Sequence, residues 1–240
     1  MSDKSELLLK PKRFYKAAVA APVEGGYAIQ LDGRTPKSPA KKPLIAPTRA
    51  MGEMIAAEWE AQVDYIDNSL MPATRLAFTA IDRIAETRPE VAQEITAYAA
   101  SDHLCYRAES PRALVERQER EWGAVLHWVL VEHGLVFRPV TGIIHTPQPP
   151  ATLASVEALA LTLDDFALAG VAFASGLFGS AVLALAVRAG RLTGQGALDL
   201  SRLDEIYQAE QWGVDAEAKA RADALGVEAA MIERWFATLR

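Results

Sequence analysis

From Phe166 to Val187 the chain reads FALAGVAFASGLFGSAVLALAV, without one charged residue. A stretch this long and apolar has two homes: a bilayer, or a helical core covered by other helices. Its content decides between them. Ala is its commonest residue, Gly170, Gly176 and Gly179 interrupt it, and no Trp or Tyr anchors either end. The central SGLFGS reads as a break between two helices. The expectation is a buried helical hairpin with no membrane insertion, which requires enough further helix to cover it.

The chain supplies that helix after a different beginning. Between Arg13 and Thr48 lie short extended runs and turn formers, with Pro36, Pro39, Pro43 and Pro47 excluding helix. Two strands are expected around Glu24-Gly25-Gly26, then a second tight turn at Asp32-Gly33. Thr48 is placed to cap a helix whose Met51, Ile55, Ala56 and Trp59 recur at helical spacing. A linker-like passage, VDYIDNSLMPATR, follows and sets an expected boundary at Asn68.

Beyond it helical periodicity dominates. One helix carries Leu76, Ile81 and Ile84 and stops before Pro89; the next runs from Pro89 to about Arg107. A third is expected with Ser110 as cap, Pro111 in its first turn and Gly134 at its C-terminal end. Three or four helices fill Ala151 to Gly213, and one or two close the chain. The expected class is α+β: a small β-rich N-terminal domain with one helix, residues 1–68, and a larger all-helical C-terminal domain, residues 69–240.

Several function classes drop out. The formal net charge of -6 disfavours a general nucleic-acid binder, which needs basic patches to neutralise phosphates. No GxxxxGK[ST] or GxGxxG loop occurs, so no nucleotide is expected. His103, His127, His133 and His145 form no HxxxH or HExxH pair, and with a single cysteine no metal site or other cofactor is expected. Cys105 lies near Asp102 and His103, but a helix would turn His103 to another face, so Cys105 is read as core. The lone cysteine and the lack of a secretory pattern at the N-terminus place the expected location in a bacterial cytoplasm.

One polar helix stands apart. LDEIYQAEQWG, Leu203 to Gly213, crowds acids, amides, Tyr207 and Trp212 before a glycine. On a helix Glu205, Gln208 and Trp212 share a stripe, while Asp204 lies about 100° from Glu205. Adjacent carboxylates that diverge are poorly placed for joint acid–base work. A solvated face and a partner-binding face both remain open on this pattern. Trp and Tyr supply contact area and a carboxylate can pair with a partner's Arg or N–H. A hydrolase using Glu205 as general base is the alternative, and it needs Glu205 in a cleft.

Several segments taken in order carry a resemblance: RFYK (Arg13–Lys16), LDGR (Leu31–Arg34), LIAPT (Leu44–Thr48), IAAEWEAQ (Ile55–Gln62) and MPATRLAFTAIDR (Met71–Arg83). CYRA (Cys105–Ala108), GSAVLALAVRAGRLT (Gly179–Thr193) and LDEIYQAEQWG continue it. Together they resemble the assembly chaperones of the F(1) sector of ATP synthase, the family of mitochondrial F(1)-ATPase assembly factor 2. The resemblance implies a non-enzymatic chaperone that holds the unassembled ATP synthase F(1) α subunit until a β subunit replaces it. It also implies a small α/β N-terminal domain before a helical one. The family's functional acidic residue falls on Glu205 in an E-x-x-Q-x-x-x-W-G stretch that also contains Gln208, Trp212 and Gly213, with Asp204 adjoining.

Overall fold

The computed structural model describes residues 10–213 and 215–240. By compactness the chain forms two units, one running to Glu86 and including Ala237–Arg240, the other spanning Thr87–Phe236.

In the first unit β1 (Ala18–Val23) and β2 (Gly26–Leu31) pair antiparallel around the expected turn, and β3 (Ile45–Ala46) pairs with β2. The second turn also forms where Asp32-Gly33 marked it. Asp32 and Gly33 take φ of 47° and 82°, and Leu31 and Arg34 exchange both backbone hydrogen bonds. The Asp32 carboxylate accepts from the N–H groups of Lys16 and Ala17, which holds its pKa below the usual value.

Helix α1 (Arg49–Glu60) starts at Thr48, whose hydroxyl accepts from Met51 N–H, and buries Met51, Ile55, Ala56 and Trp59 as their spacing predicts. Gly52 lies so close to the sheet that a Cβ there would come within 3.0 Å of Ala20 Cβ. Arg13 braces the entry to this unit: its guanidinium donates to the carbonyls of Tyr15, Lys16 and Glu60 and lies 4.6 Å from the Tyr15 ring centroid. Glu58 locks α1 to α2 (Pro72–Thr79). Its carboxylate accepts from Ala73 N–H, Thr74 N–H and the Thr74 hydroxyl, each at 2.7 Å, and so caps a helix that begins on a proline. Asn68 therefore lies inside the first compact unit, because this latch carries packing past the linker-like passage.

A π-helical turn at Ala80–Ile84 follows and leads into α3 (Ala85–Ala100). Thr87 interrupts α3 with φ -125° and ψ 24°, two residues before Pro89, and the two compact units divide there. The expected stop before Pro89 is thus a kink. Helix α3 also ends sooner than expected, at Ala100, because Asp102 turns inward and opens a 3-10 turn over His103–Cys105.

In the second unit β4 (Tyr106–Arg107) follows that turn, and α4 (Arg112–His133) begins after Pro111 rather than under a Ser110 cap. Gly134 closes α4 with φ 67°, as expected. Strand β5 (Val140–Thr141) pairs parallel with β4, which lies where a helix was expected to run on to about Arg107, so the larger, otherwise helical part holds one two-stranded pairing. The rest is helix: α5 (Pro150–Leu161), α6 (Asp165–Phe178), α7 (Ala181–Ala189), α8 (Gly194–Ser201), α9 (Leu203–Trp212) and α10 (Ala216–Ala237). Five helices, α5 to α9, thus occupy the stretch for which three or four were expected.

The charge-free stretch forms the α6–α7 hairpin. Gly179 ends α6 at φ 61° and Ser180 caps α7 by accepting from Leu183 N–H. Every residue from Ala181 to Val187 is buried, and no helix among the described residues is long and apolar enough to cross a membrane. At Gly170 a Cβ would lie 2.8 Å from the rings of both Trp235 and Phe236, so α6 and α10 touch where a side chain cannot fit.

Candidate functional site

Helix α9 is unusual in burying only Leu203. Polar ties hold it in place of a core face. Buried Gln118 of α4 accepts from Ala108 N–H at 2.8 Å and donates to Asp204 at 2.6 Å. Arg117 reaches both oxygens of Glu210 at 3.0 and 2.9 Å, and this pairing raises the guanidinium pKa further. Arg202 pairs with Glu205 at 2.7 Å across three residues. The Trp122 indole donates to Leu200 O at 2.9 Å and fixes the chain just before α9.

These ties leave one side of α9 facing a cleft of about 960 Å³. Glu205, Gln208, Trp212 and Gly213 all line it, so the stripe expected from helical spacing is one surface. Asp204 does not line it; its carboxylate is taken by Gln118, which makes it a positioning group for the helix. Trp212 is 79% exposed and the Glu205 side chain 66% exposed. Gly213 leaves the helix at φ 92° and ψ 165°, a conformation L side chains rarely adopt.

The opposite wall comes from the first half of α10, including Ala218, Lys219, Arg221 and Leu225, and the floor from Leu177, Phe178 and His103. His103 went unnoticed in the sequence as a neighbour of Glu205, because the stretches that bring them together are far apart along the chain. Its ring meets Trp122 edge-on at 5.2 Å, and its buried Nε2 has no hydrogen-bond partner. Burial lowers its pKa, opposed by the nearby charges of Asp204 and Glu205.

Asp102 underpins the floor. It is fully buried, and it accepts from the Ser180 hydroxyl at 2.7 Å, Val182 N–H at 3.1 Å and Leu104 N–H at 3.2 Å. His103 N–H donates to Gly179 O at 3.2 Å beside it. Cys105 is core, as its neighbours implied; burial pushes its thiol up to about 12, far from a reactive thiolate. Among the described residues no cluster of His, Cys, Asp and Glu is arranged to hold a metal ion.

Known proteins share this architecture. The family model described as ATP12 chaperone protein matches residues 12–130, which covers the first unit from Lys12 to Glu86, α3 and most of α4 but neither α9 nor Ala237–Arg240. The crystal structure of Atp12 from Paracoccus denitrificans is 38% identical, with a TM-score of 0.89 over 96% of this chain and 99% of that one. A candidate chaperone from Agrobacterium tumefaciens is 41% identical, with a TM-score of 0.90 over 96% of this chain and 87% of the other. Mitochondrial protein atp12 of Schizosaccharomyces pombe is 25% identical over 215 residues, 84% of this chain and 74% of its own length. The chain belongs to the ATP12 chaperone family, a family of chaperones for ATP synthase assembly.

Proposed function

We propose that the chain holds the unassembled α subunit of the F(1) sector through the cleft face of α9, in the cytoplasm, until a β subunit displaces it. The observation that carries this reading is Trp212, a large aromatic 79% exposed beside a cleft and two turns from an exposed carboxylate. An exposed indole next to a charged group is an interface anchor in waiting, since it gains contact area at small entropic loss.

The Glu205–Arg202 pair suits a client that must later be released. An exposed ion pair contributes roughly 0–1 kcal/mol, so an arginine of the client can take over Glu205 with little penalty. A few such anchors give modest affinity rather than permanent association. A hydrolase reading is less well supported. A general base tuned for catalysis sits in a desolvated setting, whereas Glu205 is 66% exposed and already paired.

The test is binding of tagged protein to purified F(1) α subunit. Glu205→Ala and Trp212→Ala should each weaken it about tenfold, in keeping with anchor residues, while circular dichroism stays unchanged. Undiminished binding by both variants discards the site; failure of the unaltered chain to bind discards the function.

A further inference from the structure

Helix α10 is attached to the rest of its unit along only part of its length. From Ala229 onward it is locked in place. Glu233 accepts from Gly194 N–H at 2.8 Å, the Trp235 indole donates to Phe166 O at 3.0 Å, and a Cβ at Gly194 would come within 1.9 Å of Ala229 O. From Ala216 to Glu228, by contrast, no residue is buried. Among the described residues, side chains from Asp215 to Glu228 form hydrogen bonds and ion pairs only within that segment. Asp215 accepts from Ala218 N–H, Lys219 pairs with Asp223, and Arg221 pairs with Glu217. A cap and two pairs four residues apart support the segment as a helix in its own right. It rests on the cleft through half-buried Ala218, Ala222 and Leu225, which offer little apolar area to hold a helix down.

Gly226 marks the change between the two halves. A Cβ there would lie 3.5 Å from Gln195 Oε1, an ordinary contact, and the backbone at this position is helical. Neither packing nor conformation therefore calls for a glycine, which lowers the helical population about fivefold relative to alanine. At its other end the segment is already separated from α9 by Gly213. We propose that Ala216–Leu225 is a hinged wall: it pivots as a helix about Gly226 while Ala229–Phe236 stays packed, and so alternately covers and uncovers the cleft face of α9. The consequence for binding rests on the reading of α9 as the client-binding helix. A client that needs the uncovered face binds with an affinity reduced by the fraction of molecules that are open.

The movement is tested on the full chain without any client. Spin labels go on Ala124→Cys in α4 and Ala220→Cys in the wall, both exposed positions, while buried Cys105 stays unlabelled. Pulsed electron spin resonance should show two distance populations, one of them matching the docked wall. Gly226→Ala should shift their ratio about fivefold toward the docked distance, and Ala224→Gly, at another exposed position, should shift it the other way by a similar factor. A single distance, or two whose ratio ignores both substitutions, overturns the proposal. Purified F(1) α subunit tests the covering of α9. It should bind the Gly226→Ala variant up to about fivefold more weakly and the Ala224→Gly variant more tightly. Equal binding to all three forms, with the distances shifted as expected, overturns the claim that the wall covers the α9 face. If α binds none of them, the α9 reading falls and the spin labels alone decide the wall.

Discussion

Asp102 is a carboxylate withdrawn from water and placed under the turn that separates α6 from α7. Burial outweighs its hydrogen bonds and raises its pKa from 3.8 to about 6. A folded pKa above the unfolded one means the group's stabilising contribution is full below about 3.8 and lost as pH rises through about 6. Replacing it by Asn turns an amide NH₂ toward donors and should lower stability by about 1–3 kcal/mol. The gap between the unaltered protein and Asp102→Asn, measured by urea unfolding, should be wider at pH 5 than at pH 8 by on the order of 1 kcal/mol. A gap that does not change with pH would remove the assignment. In the sequence Asp102 was visible only as a neighbour of Cys105. That Cys105 is core could be read from the residues beside it, whereas the Asp102–Ser180 bond spans 78 positions and leaves no local trace.

Helix α9 shows what periodicity can and cannot reveal. Its extent, its stripe of Glu205, Gln208 and Trp212 and its stop at Gly213 all follow from spacing and from the backbone freedom of glycine. Its attachment does not, because Gln118 and Asp204 meet only once α4 and α9 have packed. Gln118→Ala strips a partner from both Asp204 and the Ala108 N–H, so stability should fall by roughly 1–3 kcal/mol. Amide exchange should accelerate in α9 more than in α6 or α7; equal exchange in all three would show that Gln118 is not the brace. The same limit explains α3 and β4. Periodicity ran on to Arg107, but an inward-turning Asp102 ended the helix and left Tyr106–Arg107 to pair with Val140–Thr141. The glycines and prolines were the legible marks; polar contacts across long separations were not.

At the scale of the whole chain, composition changes near Asn68 while compactness divides at Glu86 and again at Phe236. The return is concrete. The Thr48 hydroxyl, which caps α1, also donates to Thr238 O at 2.6 Å. Deleting residues 237–240 should therefore lower the stability of the first unit by about 0.5–1.5 kcal/mol for that bond alone. Comparison of thermal unfolding followed at Trp59 with unfolding followed at Trp122 would detect it, and equal shifts at both reporters would count against a local effect. No sequence pattern announces this return, since a short segment after a helix carries no periodicity of its own. It matters for the order in which the molecule is made. A ribosome synthesises the sheet and α1 first, yet their last structural partner emerges only after all of Thr87–Phe236. The sheet and α1 thus wait for Ala237–Arg240, and a nascent chain carries an incomplete first unit while Thr87–Phe236 is being made.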